Sequence, residues 1–306
     1  MSPRPEHASV FPALAELITL RAAARTLELG ARRLSLSAQA GGYRSVYRGR
    51  GLEFDEVRTY QPGDEVRAID WRVTARRGRV HTRLYREERE RPVLLLADLG
   101  PGMLFGSRRL KSAQVLHTGA ILAWAAERAG DRVGAVVAAV AGAAVQPPQP
   151  RREAVLRLLR TLVELQPRRP GPLSPSLLDN ALARLEHIAH PGSLLPVLSD
   201  FADLTEAGER ALGRLCRHND VVLIWIFDPL EAEPPPPGRY RLGLPGRLVE
   251  LDSASAAANW RARFSDRQQR LQRLAHRLGS PLLVLSSAAN PVQVLTRGLQ
   301  RRGRAA

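Results

Sequence analysis

The sequence predicts an α/β protein: a mostly parallel sheet with helices on both faces, preceded by an N-terminal helix and a small β-containing segment. Three observations predict it. From residue 92 to the end, short apolar runs alternate with longer stretches of helical periodicity, the pattern of strands buried on both faces and joined by crossover helices. Two of those runs end in an aspartate, Asp98 and Asp200, and a third ends at Asp228-Pro229. Acidic groups thus stand at the carboxyl ends of strands, where the ligands of such sheets bind. The stretch before residue 92 differs in kind, being poor in aliphatic runs and dense in Arg, Asp, Glu and aromatic residues. The chain therefore divides into a helical segment (1–40), a charged β-containing segment (41–91) and the α/β domain (92–306).

Each element has its own signal. Residues 14–29 place apolar side chains at 14, 17, 18, 20, 27 and 29, with Gly30 behind them as a C-cap, which predicts one amphipathic helix. Gly41-Gly42 opens the charged segment; Tyr60-Gln61-Pro62-Gly63-Asp64 and Gly78 are turn signals in it, and 80–85 reads as a strand. Residues 93–97 form a buried strand with Asp98-Leu99-Gly100-Pro101-Gly102 as its loop. A helix over 109–128 is closed by Gly130, a strand follows at 133–140, and helices at 151–164 and 176–189. Strand 194–198 ends at Ser199-Asp200, helix 205–217 leads into strand 221–227, and Pro234 to Pro237 is a stiff linker. A short strand at 247–251, a long helix at 255–277, a strand at 282–285 and a helix at 291–301 complete the chain.

Composition excludes several functions. The balance of 46 basic to 30 acidic residues gives +16, but the excess is spread as +6 over 1–92, +4 over 93–200 and +6 over 201–306. A nucleic-acid binder gathers such charge into a patch or tail. Only Lys111 is a lysine; the other 45 basic residues are arginine. Cys216 is the single cysteine, so neither an intrachain disulfide nor a cysteine metal knuckle exists. Pro3, Pro5, Glu6, Pro12 and Glu16 interrupt the run that a signal peptide needs. The longest apolar run, 133–145, falls short of the roughly 20 residues a spanning helix requires. A soluble, cytoplasmic protein without a membrane span is expected.

Two regions go beyond generic pattern. Arg50-Gly51-Leu52-Glu53-Phe54, then Arg58-Thr59-Tyr60-Gln61-Pro62-Gly63-Asp64 and Arg67-Ala68-Ile69-Asp70-Trp71, continue through Thr74-Ala75-Arg76 and Glu87-Glu88-Arg89-Glu90. Downstream stand Asp98, Phe105-Gly106, Lys111, Gly130-Asp131-Arg132-Val133-Gly134 and Leu198-Ser199-Asp200-Phe201. Together, over about 41–205, they resemble the signature of the domain-of-unknown-function 58 (DUF58) family. The resemblance implies a three-layer von Willebrand factor A-like fold and a MoxR-type AAA+ ATPase as partner. It supplies no enzymatic activity. Many relatives carry membrane spans; no such span is read in this sequence.

Von Willebrand A domains hold a divalent cation through Asp-x-Ser-x-Ser after the first strand, a Thr from a later loop and an Asp after another strand. A hard cation takes several oxygen ligands, and serine hydroxyls supply them while leaving room for a partner's carboxylate. Here both serine positions are glycine, Gly100 and Gly102, and no threonine occurs over 170–176, where Ser174 or Ser176 would stand in. With Asp98 and Asp200 alone retained, the adhesion site reads as degenerate. No cofactor is expected, and Mg²⁺ would be held only weakly by two carboxylates and water. The alternative to a metal is a loop whose glycines permit an unusual backbone path and whose Asp98 bonds to backbone amides. Asp98, Gly100, Gly102 and Asp200 are the candidate partner-binding residues.

The signature residues Glu53, Phe54, Arg58, Tyr60, Gly63, Asp64, Arg67, Asp70, Trp71 and Arg76 interleave acids, arginines and aromatics. They predict an ion-pair network partly buried under the rings, read as a rigid brace, with a recognition surface as the alternative. Other motifs fail. Gly49-Arg50-Gly51 lacks the third glycine and the preceding strand of a dinucleotide loop, and no Gly-Lys-Ser/Thr exists for a phosphate loop. His187 and His190 sit at a helix end, where they complement the dipole rather than bind zinc. The sequence thus points to a non-enzymatic binding or scaffold protein. Its alternatives are a weak metal-dependent enzyme acting on phosphate esters through Asp98 and Asp200, and a binder of nucleic acid through gathered arginines.

Overall fold

The apolar runs become strands of one sheet in a computed structural model of the protein, which describes residues 10–29, 52–61, 69–87, 91–140, 142–169, 171, 176–244 and 247–304. The chain forms two compact units, one of residues 34–90 and one of 1–33 with 91–306.

The larger unit begins with α1 (Leu14–Thr19) and a 3-10 turn at Ala23–Thr26. The continuous helix expected over 14–29 is therefore broken. Thr19 Oγ donates to the Glu16 carbonyl at 2.6 Å, the local side-chain bond that competes with helix continuation. Tertiary packing settles the rest, because the kinked chain buries Leu17, Ala24 and Leu27 against the core. Gly30, the expected cap, lies outside the described residues.

In the smaller unit, β1 (Leu52–Thr59) pairs antiparallel with β2 (His81–Glu87), and α2 (Trp71–Arg77) stands between them in sequence. Asp70 caps α2, accepting from the amides of Arg72 at 3.0 Å and Val73 at 3.1 Å, and Gly78 ends it at φ 68°.

From residue 91 the chain runs β3 (Pro92–Leu99), α3 (Lys111–Arg128), β4 (Arg132–Ala139), β5 (Gly142–Gln149), α4 (Arg152–Leu165), α5 (Leu177–Ile188), β6 (Leu194–Ser199), α6 (Glu206–His218), β7 (Asp220–Phe227) and the single turn α7 (Pro229–Ala232). It closes with β8 (Arg239–Leu244), β9 (Arg247–Asp252), α8 (Ser253–Leu278), β10 (Leu282–Ser286) and α9 (Pro291–Arg304). The six-stranded sheet has the order β10-β7-β6-β3-β4-β5, parallel except for β5. Residues alternate between its faces. Val93, Leu95, Ala97 and Leu99 join one core with α3, α4 and α9, while Leu94 and Leu96 join the other with α5, α6 and α8. This is a three-layer α/β architecture of the von Willebrand A or Rossmann class.

Two strands differ from expectation. Strand β5 is not legible in the sequence, where Pro147 and Pro148 argue against a strand; among the described residues it is the last strand of the sheet, and an edge strand tolerates proline. The short strand expected at 247–251 does form, and its antiparallel partner β8, which the sequence does not announce, makes a separate hairpin with it. Helix α3 is buried at every position from Lys111 to Ala126, so its periodicity is weak and its flanks are what reveal it. No helix among the described residues is long and apolar enough to cross a membrane.

Candidate functional site

Counted within the sheet, the strands run 3-2-1-4-5-6, so the order reverses between β3 and β6. The crevice outside their carboxyl ends is the topological switch point, the place where such sheets bind ligands. Asp98 lies at the end of β3 and Asp200 immediately after β6, both buried. Gly102 belongs to the same cluster: a Cβ built on it would lie 3.3 Å from Asp200 Oδ2. One built on Gly100 would lie 3.1 Å from Asp98 Oδ1 and 2.8 Å from Leu177 Cδ2. All four candidate residues thus converge, and the Leu177 side chain fills the space that a larger residue at position 100 would need.

Every oxygen of the two carboxylates accepts a hydrogen bond. Asp98 Oδ1 accepts from the Gly100 amide at 2.9 Å and Oδ2 from the Ser199 hydroxyl at 2.6 Å. Asp200 Oδ1 accepts from the Ala202 amide at 3.0 Å, and its Oδ2 accepts from Lys111 Nζ at 2.6 Å. That ammonium also donates to Glu231 Oε1 at 2.9 Å and stands 5.9 Å from the centre of the Phe105 ring. Next to Asp200, Phe201 sits at φ 51°, a left-handed conformation that costs a bulky residue about 1–3 kcal/mol. Ser199 Oγ accepts from its amide and helps hold it there.

Lys111 breaks two rules at once. It is 2% exposed, and it begins a helix, where a cation faces the positive end of the dipole. Asp200 and Glu231 compensate. Burial pulls the Lys111 pKa down, but the two carboxylates and their hydrogen bonds outweigh it and hold the group above the ordinary lysine range. Burial would likewise raise Asp200; the Lys111 charge and hydrogen bond, the Ala202 amide and the Arg267 charge outweigh it and keep that carboxyl below its usual range. Among the described residues no cation bonds Asp98, and the Lys111 charge acts on it only weakly. Burial, and then the Asp200 charge, push it up to about 6 against the Ser199 and Gly100 bonds.

The residues present do not fit a divalent cation. Each carboxylate oxygen of Asp98 and Asp200 already faces a donor, and an ammonium sits where a cation would share Asp200. Ser176 is exposed at the start of α5, and Ser174 lies outside the described residues. Among the described residues no cluster of three or more His, Cys, Asp or Glu side chains could hold a metal.

The third strand-end aspartate has a different job. Asp228 accepts from the Ser107 amide at 2.8 Å, the Ser287 hydroxyl at 2.6 Å and the Leu230 amide at 3.0 Å, tying three loops together. It forms a capping box with Glu231, whose Oε2 accepts from the Asp228 amide at 2.9 Å. The box fixes the carboxylate that Lys111 uses.

The sequence signature residues belong to the smaller unit. Glu53, Phe54 and Arg58 lie on β1, Tyr60 follows it half-buried, and Arg76 is in the last turn of α2. Gly63, Asp64 and Arg67 lie outside the described residues. Trp71, expected to cover an ion-pair network, is 67% exposed, and the backbone explains why: as the first residue of a helix capped by Asp70 it points off the turn into solvent.

Sequence reasoning missed Lys111 and Glu231 as site residues. The sequence carries a signal for the first, which is the only lysine among 46 basic residues. Glu231 was legible as the fourth residue of Asp228-Pro229-Leu230-Glu231, a capping box with proline at the first helical position.

A family model described as "Protein of unknown function DUF58" matches residues 56–274. An uncharacterized protein of Mycobacterium tuberculosis is 29% identical over 220 residues, covering 72% of this chain and 68% of its own. Among solved structures, the chain is similar to the conserved hypothetical protein BatB from Bacteroides thetaiotaomicron, at 14% identity and a TM-score of 0.47 over 70% of this chain and 99% of that one. It is also similar to an aerotolerance-related membrane protein from Bacteroides fragilis, at 17% identity and a TM-score of 0.41 over 70% of this chain and 99% of that one.

Proposed function

The chain belongs to the DUF58 family of proteins of unknown function, and on that premise we propose that it is a non-enzymatic binding protein whose switch-point site works without a metal. The observation that carries this reading is the Lys111 ammonium, bonded to Asp200 at 2.6 Å and to Glu231 at 2.9 Å. A buried, permanently charged lysine provides the positive centre that a divalent cation provides elsewhere, and a covalently tethered charge neither leaves nor activates water. Metal-assisted hydrolysis needs an open coordination position and a lowered water pKa; an ammonium offers neither. The partner in this reading is a MoxR-type AAA+ ATPase in the cytoplasm, with the DUF58 chain as its adaptor and all nucleotide chemistry on the ATPase.

Thermal melting with and without millimolar Mg²⁺ or Mn²⁺ tests it. The wild-type melting temperature is expected not to move, whereas Lys111→Ala, which leaves Asp200 and Glu231 facing a vacated space, is expected to be stabilised by either ion. A metal at one hundred times its dissociation constant would add about 2.7 kcal/mol, easily read in a melt. A clear rise in the wild type, lost in Asp98→Ala and Asp200→Ala, would overturn the reading and restore a metal-centred site. Co-purification of the tagged native chain tests the partner: recovery of an AAA+ ATPase supports it, and its absence removes the adaptor role. A phosphate-ester hydrolysis panel with Mn²⁺ tests the enzymatic alternative and is expected to be blank.

A further inference from the structure

Beside Glu231 the structure contains a cavity of about 370 Å³ between α7, β9 and one face of α8, lined by Glu231, Leu251, Trp260, Arg263, Phe264 and Arg267 among others. We propose that this cavity is the docking site for an acidic, apolar-flanked peptide segment of the partner, with one carboxylate read by Arg263 and Arg267. The proposal rests on the reading of the chain as a binding module and names the chemistry of what it binds.

Four observations converge. Trp260, Arg263, Phe264 and Arg267 are spaced at three and four residues, so they share one face of α8. Half of that face is apolar and half is guanidinium, which asks for an occupant with an anion beside an apolar body. The floor is stiff: Phe264 stacks on Trp225 at 5.1 Å and packs on Phe227 at 5.1 Å, and Trp260 Nε1 is anchored to the Leu230 carbonyl at 2.8 Å. A preformed wall spares the ordering cost of binding.

The charge balance selects the anion. Arg261, Arg270 and Arg277 on the same helix are already paired, with Glu233 in the first case and Glu209 in the other two. Arg263 has no ion-pair partner among the described residues, and Arg267 stands 3.8 Å from Glu231. Glu231 itself is tied to Lys111 and to the Asp228 amide, so it remains in the wall as a fixed negative charge. Among the lining residues two guanidiniums face one carboxylate, and since Arg267 also acts on Asp200, Arg263 is the guanidinium left for an anion. That suits a monoanionic carboxylate, while Glu231 repels a phosphate dianion more strongly. Because Glu231 is shared, an occupant drawn to Arg267 would also loosen the guanidinium from Glu231 and leave that carboxylate more fully to Lys111.

The test uses the full chain and a fluorescein-labelled octapeptide alternating glutamate with leucine and phenylalanine. Two control peptides carry glutamine or phosphoserine in place of glutamate. The glutamate peptide is expected to bind about tenfold more tightly than the glutamine peptide, and the preference is expected to disappear in Arg263→Gln/Arg267→Gln. Both arginines reach solvent, and an unchanged melting temperature of the double variant shows that the fold is intact. No binding of the glutamate peptide at millimolar concentration, equal binding of glutamate and glutamine peptides, or full retention in the double variant overturns the proposal. Tighter binding of the phosphoserine peptide overturns it in favour of a phosphate site. Loss of the peptide preference with metal insensitivity intact refutes the pocket alone. A magnesium-induced rise in the wild-type melting temperature refutes the metal-free reading instead.

Discussion

Asp98 and Asp200 make a natural controlled comparison. They are the same residue type, at the same end of the same sheet, on adjacent strands, and almost equally buried at 7% and 6% exposure. Their carboxyls are nevertheless driven in opposite directions, Asp98 up to about 6 and Asp200 below its usual range. Hydrogen bonding does not separate them, since each accepts two. What separates them most is one ammonium, hydrogen-bonded to Asp200 but only a weaker, unbonded charge for Asp98, with the Arg267 charge adding to the difference. Burial alone penalises a carboxylate; burial beside a fixed counter-ion stabilises it, and the unpaired neighbour then feels both the dry surroundings and the first carboxylate's charge.

Removing that ammonium is the strongest way to break the comparison. Lys111→Met is expected to cost about 3–5 kcal/mol at neutral pH, the cost of leaving a buried carboxylate without its partner. It should also turn Asp200 into a second Asp98, with a raised pKa. Denaturant melts of the variant across pH 5 to 8 would then show stability increasing as pH falls, and a loss that stays constant with pH would contradict the assignment.

The same substitution at the two positions should give opposite signs. Asp200→Asn strips Lys111 of one of its two carboxylates and is expected to cost about 2–3 kcal/mol at pH 7. Asp98→Asn removes a charge that the fold disfavours. The sign follows from linkage: Asp98 titrates near 6 when folded against 3.8 when unfolded, so between those values the native state holds more protons. Wild-type stability therefore falls as pH rises through that window, by at most about 3 kcal/mol. Asp98→Asn is expected to be about 1–2 kcal/mol more stable than wild type above pH 7, with the hydroxyl of Ser199 losing an acceptor as the offset. That advantage should vanish near pH 4. Denaturant titrations at the two pH values check it, and an advantage that is independent of pH would sink the account.

Gly102 sharpens the comparison from the backbone side. Gly102→Ser places a Cβ 3.3 Å from Asp200 Oδ2, a tight approach, and is expected to cost about 1 kcal/mol, read by denaturant melt. Combined with Lys111→Ala it should strengthen the Mg²⁺ response over that of Lys111→Ala alone, because a hydroxyl then joins the carboxylates. The smallest effect belongs to the surface. Arg214 bonds Glu186 through Nε at 2.5 Å and through its second nitrogen at 2.8 Å, both exposed, and Arg214→Ala should leave the melting temperature unchanged at physiological salt.

Much of the fold was legible in the sequence because the parallel strands are buried on both faces and their residues must be apolar throughout. Runs such as Val93–Leu96 and Val221–Ile226 carry that requirement openly. The positions of Asp98 and Asp200 at strand ends followed directly. Edge strand β5 was not legible, since one neighbour and a half-exposed face ask little of its sequence and admit Pro147 and Pro148. The break after Thr19 was hidden because the periodicity of 14–29 suits a helix, and only packing against α3 decides otherwise.

The sequence by itself determined the α/β class, the loop of Asp98-Leu99-Gly100-Pro101-Gly102 without its hydroxyls, and the presence of a single lysine. Tertiary structure alone decided what that lysine does. Lys111 is separated from Asp200 by 89 residues and from Glu231 by 120. Nothing in local propensity says that a helix beginning after β3 will aim its first side chain into the gap between β6 and β7. That placement depends on strand order, which arises from the packing of many weak apolar contacts at once. An ion pair, by contrast, acts only at contact distance and only where water is excluded. The charges were therefore visible one by one, and their pairing became visible only when the sheet brought them together.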